Sequence, residues 1–168
     1  MRTLSEPRII ERGPYKVVGA YCTFSGDDEG PGWRGAERVF FSRRHEIRNR
    51  TDDLVLGFLY RPHRDHPEVG EDVRACFIGA ELTDFDHVPD GMSTTQFSGG
   101  QYVIVESRGD TQEEAADGVG KAIGFLSQWM PEHGYAEGDA CFACSDEKAP
   151  RPPFVEHVYI KIEKPQLP

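Results

Sequence analysis

Cys141-Phe142-Ala143-Cys144 is the first place in this sequence to look for chemistry, because two thiolates at that spacing can hold zinc or exchange a disulfide. Neither use fits. A structural zinc wants a second ligand pair, and a redox pair should open a helix, whose dipole lowers the thiol pKa. The segment instead has the composition of a strand, where alternation sends Phe142 and Cys144 to the side opposite Cys141 and Ala143. Together with Cys22 and Cys76, these thiols are read as reduced, small buried hydrophobes. His63-Arg64-Asp65-His66 also carries ligand-type residues, but it lies in a polar turn between Pro62 and Pro67. No Gly-x-Ser-x-Gly elbow, phosphate loop or HExxH is present. No metal, cofactor or nucleophilic catalysis is therefore expected. Any hydrolysis would rest on a glutamate acting as general base, tuned by burial.

Attention then shifts to residues that could line a ligand site. Tyr21, Tyr60 and Tyr159 lie in strand-like segments and suit a cleft wall, where a buried hydroxyl finds a polar partner. Trp129 ends a helix before Pro131 and should be core, with one ring edge toward the site. Trp33, Phe77 and Phe142 complete the aromatic candidates, and Glu81, Glu156 and His157 are the polar ones. Glu156 stands three residues before Tyr159. Strict alternation puts His157 on the Tyr159 face unless a bulge intervenes.

The elements that must position these side chains follow from pattern. Ile9–Thr23 contains a strand, and Ser25–Gly32 is a loop. Trp33, Ala36, Phe40 and Ile47 recur at helical spacing and predict a helix over Trp33–Arg50. Strands are expected over Leu54–Arg61 and Asp72–Leu82, with polar turns at Pro62–Glu71 and Thr83–Gly91. Met92–Ser107 reads as strand broken at Ser98-Gly99-Gly100. Thr111 should cap a second helix, with Glu113 and Glu114 in its first turn and Pro131 at its close. Ala140–Cys144 and Val155–Glu163 are the last strands. The order is β-α-β-β twice, which predicts an α+β fold. Two pseudo-duplicated halves would form one antiparallel sheet with two main helices on one face and a ligand cleft between the halves.

Composition narrows the function classes. Hydrophobic residues make up 38% and charged residues 29%, which fits one globular domain spanning 1–168. The apolar runs are strand-sized, and the first residues lack an apolar signal region, so a cytoplasmic protein without membrane contact is expected. The formal net charge is −10, opposite to what phosphate binding needs, so no direct nucleic-acid binding is expected. Arg43-Arg44, Arg48 and Arg50 read as a solvated helix face.

Residues spread along nearly the whole chain carry a family resemblance. Pro14-Tyr15-Lys16-Val17-Val18-Gly19 is similar to the first strand of the GyrI-like, or AraC-type effector-binding, small-molecule-binding domains. Phe77-Ile78-Gly79-Ala80-Glu81-Leu82, followed by Pro89-Asp90-Gly91-Met92, resembles their Gly-x-Glu strand. Gly99–Val105 resembles the hairpin before their second helix. Trp129-Met130-Pro131-Glu132-His133-Gly134-Tyr135 is similar to their "W-L-P-x-S-G-Y" helix end, and Glu156–Ile162 to their closing "E-x-Y-x-P" strand. Two departures stand out. Lys161 occupies a position commonly held by proline, and Ala143 stands where relatives often carry glutamate.

The resemblance implies a bacterial stand-alone effector-type domain with a SOUL-like fold, of a kind tied to multidrug binding and transcription regulation. It implies a hydrophobic ligand, lipophilic cations included, in an aromatic pocket with an acidic residue, here Glu156. A carboxylate in an apolar cleft selects ligands that bring a positive charge, and aromatic faces add cation–π attraction. Because some relatives hydrolyse reactive cyclopropane-bearing compounds, the rival reading is a hydrolase with Glu156 activating water. A protein partner is a third reading and would need an exposed apolar patch.

Overall fold

A computed structural model describes residues 2–149 and 151–165. Among these residues, nine strands and two long helices are arranged as an antiparallel α+β fold. The chain divides into two compact units, Tyr15–Gln96 and a second that joins Met1–Pro14 to Phe97–Pro168. Among the described residues no helix is long and apolar enough to cross a membrane.

The strands of the first unit are β3 (Tyr15–Phe24), β4 (Leu54–Tyr60), β5 (Arg74–Leu82) and all but the last residue of β6 (Ser93–Phe97), with β5 between β4 and β3. Helix α1 (Gly30–Arg43) covers one face. Val18, Val55, Ile78, Ala80 and Leu82 pack there against Ala36 and Phe40, with Trp33 at the margin. The helix is shorter than its periodicity predicts. At Arg43 the backbone leaves the helical region, and Arg44–Glu46 form a 3₁₀ turn before Ile47 extends. Ile47 is drawn into the core, while Arg43 ties the turn down through Glu46 and the Asp90 carbonyl.

In the second unit, β9 (Phe154–Glu163) lies between β7 (Gly100–Gly109) and β8 (Ala136–Asp146). The short strands β1 (Thr3–Leu4) and β2 (Arg8–Arg12) pair with β7, so the chain's start belongs with its second half. Val103, Val105, Val158, Ile160 and Ile162 pack under Ala122, Leu126 and Met130 of α2 (Gln112–Glu132). The Thr111 hydroxyl accepts the Glu114 N–H at 3.1 Å, which meets one of the helix's unpaired donors. Pro131 sits inside the last turn instead of ending it. Gly134, at φ +80°, makes the stop. Its N–H donates to the Pro131 carbonyl at 3.2 Å, and the Tyr135 N–H to Met130 at 2.9 Å, a Schellman cap. Trp129 closes this cap, stacked on His133 at 4.0 Å and on Tyr135 at 6.1 Å. The most family-specific motif of the sequence is thus a helix stop.

Candidate functional site

Alternation gives each unit a second face, turned away from its helix, and both of these faces are aromatic. In the second unit, even-numbered residues of β7 and β8 and odd-numbered residues of β9 lie there. Phe97 stacks on Phe142 at 5.1 Å, and Phe142 stacks on Tyr159 at 5.0 Å with 10° between planes. Tyr102 closes edge-on against Phe142 and Tyr159 at 6.1 and 6.5 Å. Burial pushes the Tyr102 and Tyr159 hydroxyls up to about 12, so both stay neutral donors across the physiological range.

Polar groups stand at both ends of this ring stack. At one end, Lys161 donates to the Ser98 hydroxyl at 2.7 Å, which donates to Asp139 at 3.1 Å, while Tyr102 donates to the Ser98 carbonyl. Lys161 is therefore bound into a clamp. At the other end, His157 lies with its Nδ1 3.7 Å from Glu106. Glu106 is held by Arg108, and Arg8 stands 4.0 Å away; these cations keep its carboxyl below the usual range.

The first unit has its own ring cluster on the face away from α1. Phe58 stacks on Phe77 at 4.8 Å, Tyr60 meets Phe77 edge-on at 5.1 Å, and Tyr21 lies 5.4 Å from Tyr60. Asp65 accepts the Tyr60 hydroxyl at 2.6 Å and the Thr95 hydroxyl at 3.0 Å. His66 rests beside Tyr21 at 5.6 Å. The polar turn His63–His66 thus supplies a cap on these tyrosines through Asp65 and His66.

The residues singled out from sequence divide between faces. Tyr159, His157 and Phe142 share the helix-free face of the second unit, and Tyr21, Tyr60 and Phe77 that of the first. Glu81 has the parity of Phe77 and is buried, its carboxylate accepting Thr51 at 2.9 Å. Trp33 and Trp129 belong to the helix-side cores, Trp33 donating to Glu29 at 3.2 Å. Glu156 is also on the helix side. The β7–β9 register runs unbroken from Phe154 to Ile162, so no bulge turns Glu156 toward Tyr159. It stands between Ser107 and Ser145, hydrogen-bonded to Ser145, and burial pushes its carboxyl up to about 7. Phe58, Phe97, Tyr102, Glu106 and Asp65 join these faces without having been anticipated. Phe58 could have been found by counting back two residues from Tyr60.

Comparison with known proteins agrees with this architecture. A family model described as GyrI-like small molecule binding domain matches residues 5–163. Among curated proteins nothing matches the sequence. An integron cassette protein from the mobile metagenome of Vibrio cholerae is 14% identical and superposes with a TM-score of 0.56, covering 96% of this chain and 99% of that one. EcmrR, seen in a complex with DNA, is 15% identical with a TM-score of 0.63; 95% of this chain is covered but only 58% of EcmrR. A hydrolase from Listeria innocua is 13% identical with a TM-score of 0.54, covering 94% and 92%. At these identities the likeness is one of fold.

Proposed function

We propose, because this chain belongs to the GyrI-like small molecule binding domain family, that it is a binding module for a flat hydrophobic compound rather than an enzyme of the hydrolase type. The observation that carries this reading is the three-ring stack Phe97–Phe142–Tyr159 on a sheet face that no helix covers. Tyr159 is the ring of this stack with the most solvent access, and a planar ligand laid against it extends the stack by one layer. The one carboxylate of β7 on that face, Glu106, is already countered by Arg108 and Arg8. Neutral and cationic ligands of one shape should therefore bind comparably. The hydrolase reading has the Listeria innocua neighbour on its side, but its base, Glu156, lies on the opposite face of β9 from Tyr159.

Titration with the neutral fluorophore N-phenyl-1-naphthylamine should give saturable enhancement. Tyr159→Ala should weaken it by about 1 kcal/mol, roughly fivefold, the worth of one aromatic contact. Absence of saturable binding by this dye and by a cationic dye of similar size would sink the reading. A second expectation concerns DNA. The DNA complex is a property of EcmrR, and this 168-residue chain carries a net charge of −10. With that excess of acid it cannot recover the counterion-release term, and it should not retard duplex DNA at moderate salt in a mobility-shift experiment.

A further inference from the structure

The register of three strands brings together residues that lie far apart in the sequence. Glu106 of β7 is the direct partner of His157 of β9, and His157 is the direct partner of Cys144 of β8. All three have the parity of the aromatic face, so carboxylate, imidazole and thiol form one row across the sheet, with the imidazole in the middle. Directly opposed side chains in an antiparallel pair have Cβ atoms about 5 Å apart, within reach of a hydrogen bond between imidazole and thiol. The row lies beside the ring stack, because Cys144 and Phe142 alternate on β8 and His157 and Tyr159 on β9.

From this row we propose that Cys144 is a nucleophile, with His157 as its base and Glu106 as the residue that positions His157, and that its substrates are hydrophobic soft electrophiles such as activated alkenes. Three observations support it beyond the register. His157 Nδ1 lies 3.7 Å from Glu106 Oε1, is itself buried, and has no hydrogen-bond partner among the described residues. An N–H at Nδ1 facing that carboxylate leaves Nε2, on the far side of the ring, as the basic nitrogen. Burial also lowers the His157 pKa, which keeps the imidazole neutral and able to accept a proton. Finally, the Tyr159 hydroxyl hydrogen-bonds Cys144, which ties the thiol to the ring face. A nucleophile, a base within reach and a group that orients the base are the parts such catalysis requires.

The reaction closes without a further reagent. The Cys144 sulfur pair forms a C–S bond to the electron-poor carbon of the alkene, and the π pair moves to the adjacent carbon. His157 takes the thiol proton and returns it to that carbon. The groups facing His157 are Glu106 and Arg108 on β7, Arg8 on β2, Cys144 on β8 and Tyr159 on its own strand. Glu106 favours the imidazolium and the two arginines oppose it.

Where the substrate sits rests on the binding function proposed above, so the experiment separates the two. The folded protein is treated with N-phenylmaleimide and each cysteine is followed by peptide mass mapping. By accessibility alone, the half-buried Cys22 and Cys141 should react before Cys144, which is 3% exposed. The proposal expects the reverse order, with Cys144 modified first and to one equivalent. His157→Asn should slow that modification by on the order of 100-fold, the scale of a lost general base. Glu106→Gln should move the rate–pH profile of Cys144 to lower pH, because it removes the group that favours the imidazolium; a purely structural role would leave the profile in place. Modification of Cys22 or Cys141 ahead of Cys144, or a Cys144 rate indifferent to His157→Asn, overturns the proposal. Saturable binding of the unreactive N-phenylsuccinimide is measured in parallel. If it binds while Cys144 stays unmodified, the nucleophile fails and the binding function stands; if neither it nor the two dyes bind, the binding function fails as well.

Discussion

Gly118→Ala should destabilise the protein, although alanine is the better helix former. At Gly118 the α2 backbone rests on β7, and an added Cβ would fall on the Ser107 hydroxyl, with Ser107 Cβ and Arg2 Cδ each only 3.0 Å away. Ser107 cannot yield, because it is fully buried and its hydroxyl donates to the Ala115 carbonyl one turn earlier at 2.8 Å. The helix would have to lift from the sheet, at an overpacking cost on the order of 1–3 kcal/mol. Gly120 and Gly124 are internal controls on the same helix. A Cβ at either meets nothing within 4 Å. Alanine there should stabilise by roughly 0.5–1 kcal/mol through the helix propensity gained. Thermal melts of the three variants should therefore shift in opposite directions, by a few degrees each. Ser107→Ala should recover part of the Gly118→Ala loss, since it removes the nearest atom. A Gly118→Ala variant as stable as the parent would show that α2 does not bear on β7 at this point.

How much of this was legible follows from how local each signal is. The Thr111 cap is written in a few adjacent residues, and the structure has it. The alternation of His157 and Tyr159 against Glu156 is a period-two count, and it holds because β9 pairs with β7 without a register shift. The end of α1 is not legible from spacing, because its stop comes from Ile47 entering the core and from Arg43 reaching Asp90, contacts that helical spacing cannot register. The pairing of Arg8 with Ile104 was invisible for a related reason, since nothing in Arg8–Arg12 encodes a partner some ninety residues away. The same holds for the ring stack and the Glu106–His157–Cys144 row. Phe97, Phe142 and Tyr159 are ordinary strand aromatics until three strands are set in register. Cys144 reads as half of a CxxC pair until alternation separates it from Cys141, whose thiol burial pushes up to about 11. Faces can be counted from sequence; which residues meet across a face depends on register.

Glu156→Gln should change how stability depends on pH. The carboxyl sits on the side of β9 that packs beneath α2, between Ser107 and Ser145, and burial moves it from an ordinary value of 4.5 to about 7. The folded chain thus holds this proton more tightly than the unfolded chain does. The stabilisation is fully present below pH about 4.5 and is lost as pH rises to about 7, above which the buried carboxylate is a constant cost. A tenfold change in proton affinity is worth about 1.4 kcal/mol, so the whole span amounts to on the order of 3 kcal/mol. Glutamine keeps the shape and can still hydrogen-bond Ser145, but has no charge to bury. Parent and variant should therefore unfold at nearly the same denaturant midpoint at pH 4.5, with the variant more stable by that margin at pH 8. His157 pulls the other way, because its lowered pKa costs stability in acid, but it is common to both proteins and cancels in their difference. The comparison also tests the role that the family resemblance implies for this residue. A Glu156 facing the ligand would make Glu156→Gln weaken lipophilic cations while leaving neutral ligands alone. A stability difference that is the same at pH 4.5 and pH 8, together with that loss of cation affinity, would take Glu156 out from under the helix. A difference that opens between pH 4.5 and 7, with dye affinities unchanged, keeps it there and leaves ligand contact to the His157 and Tyr159 face.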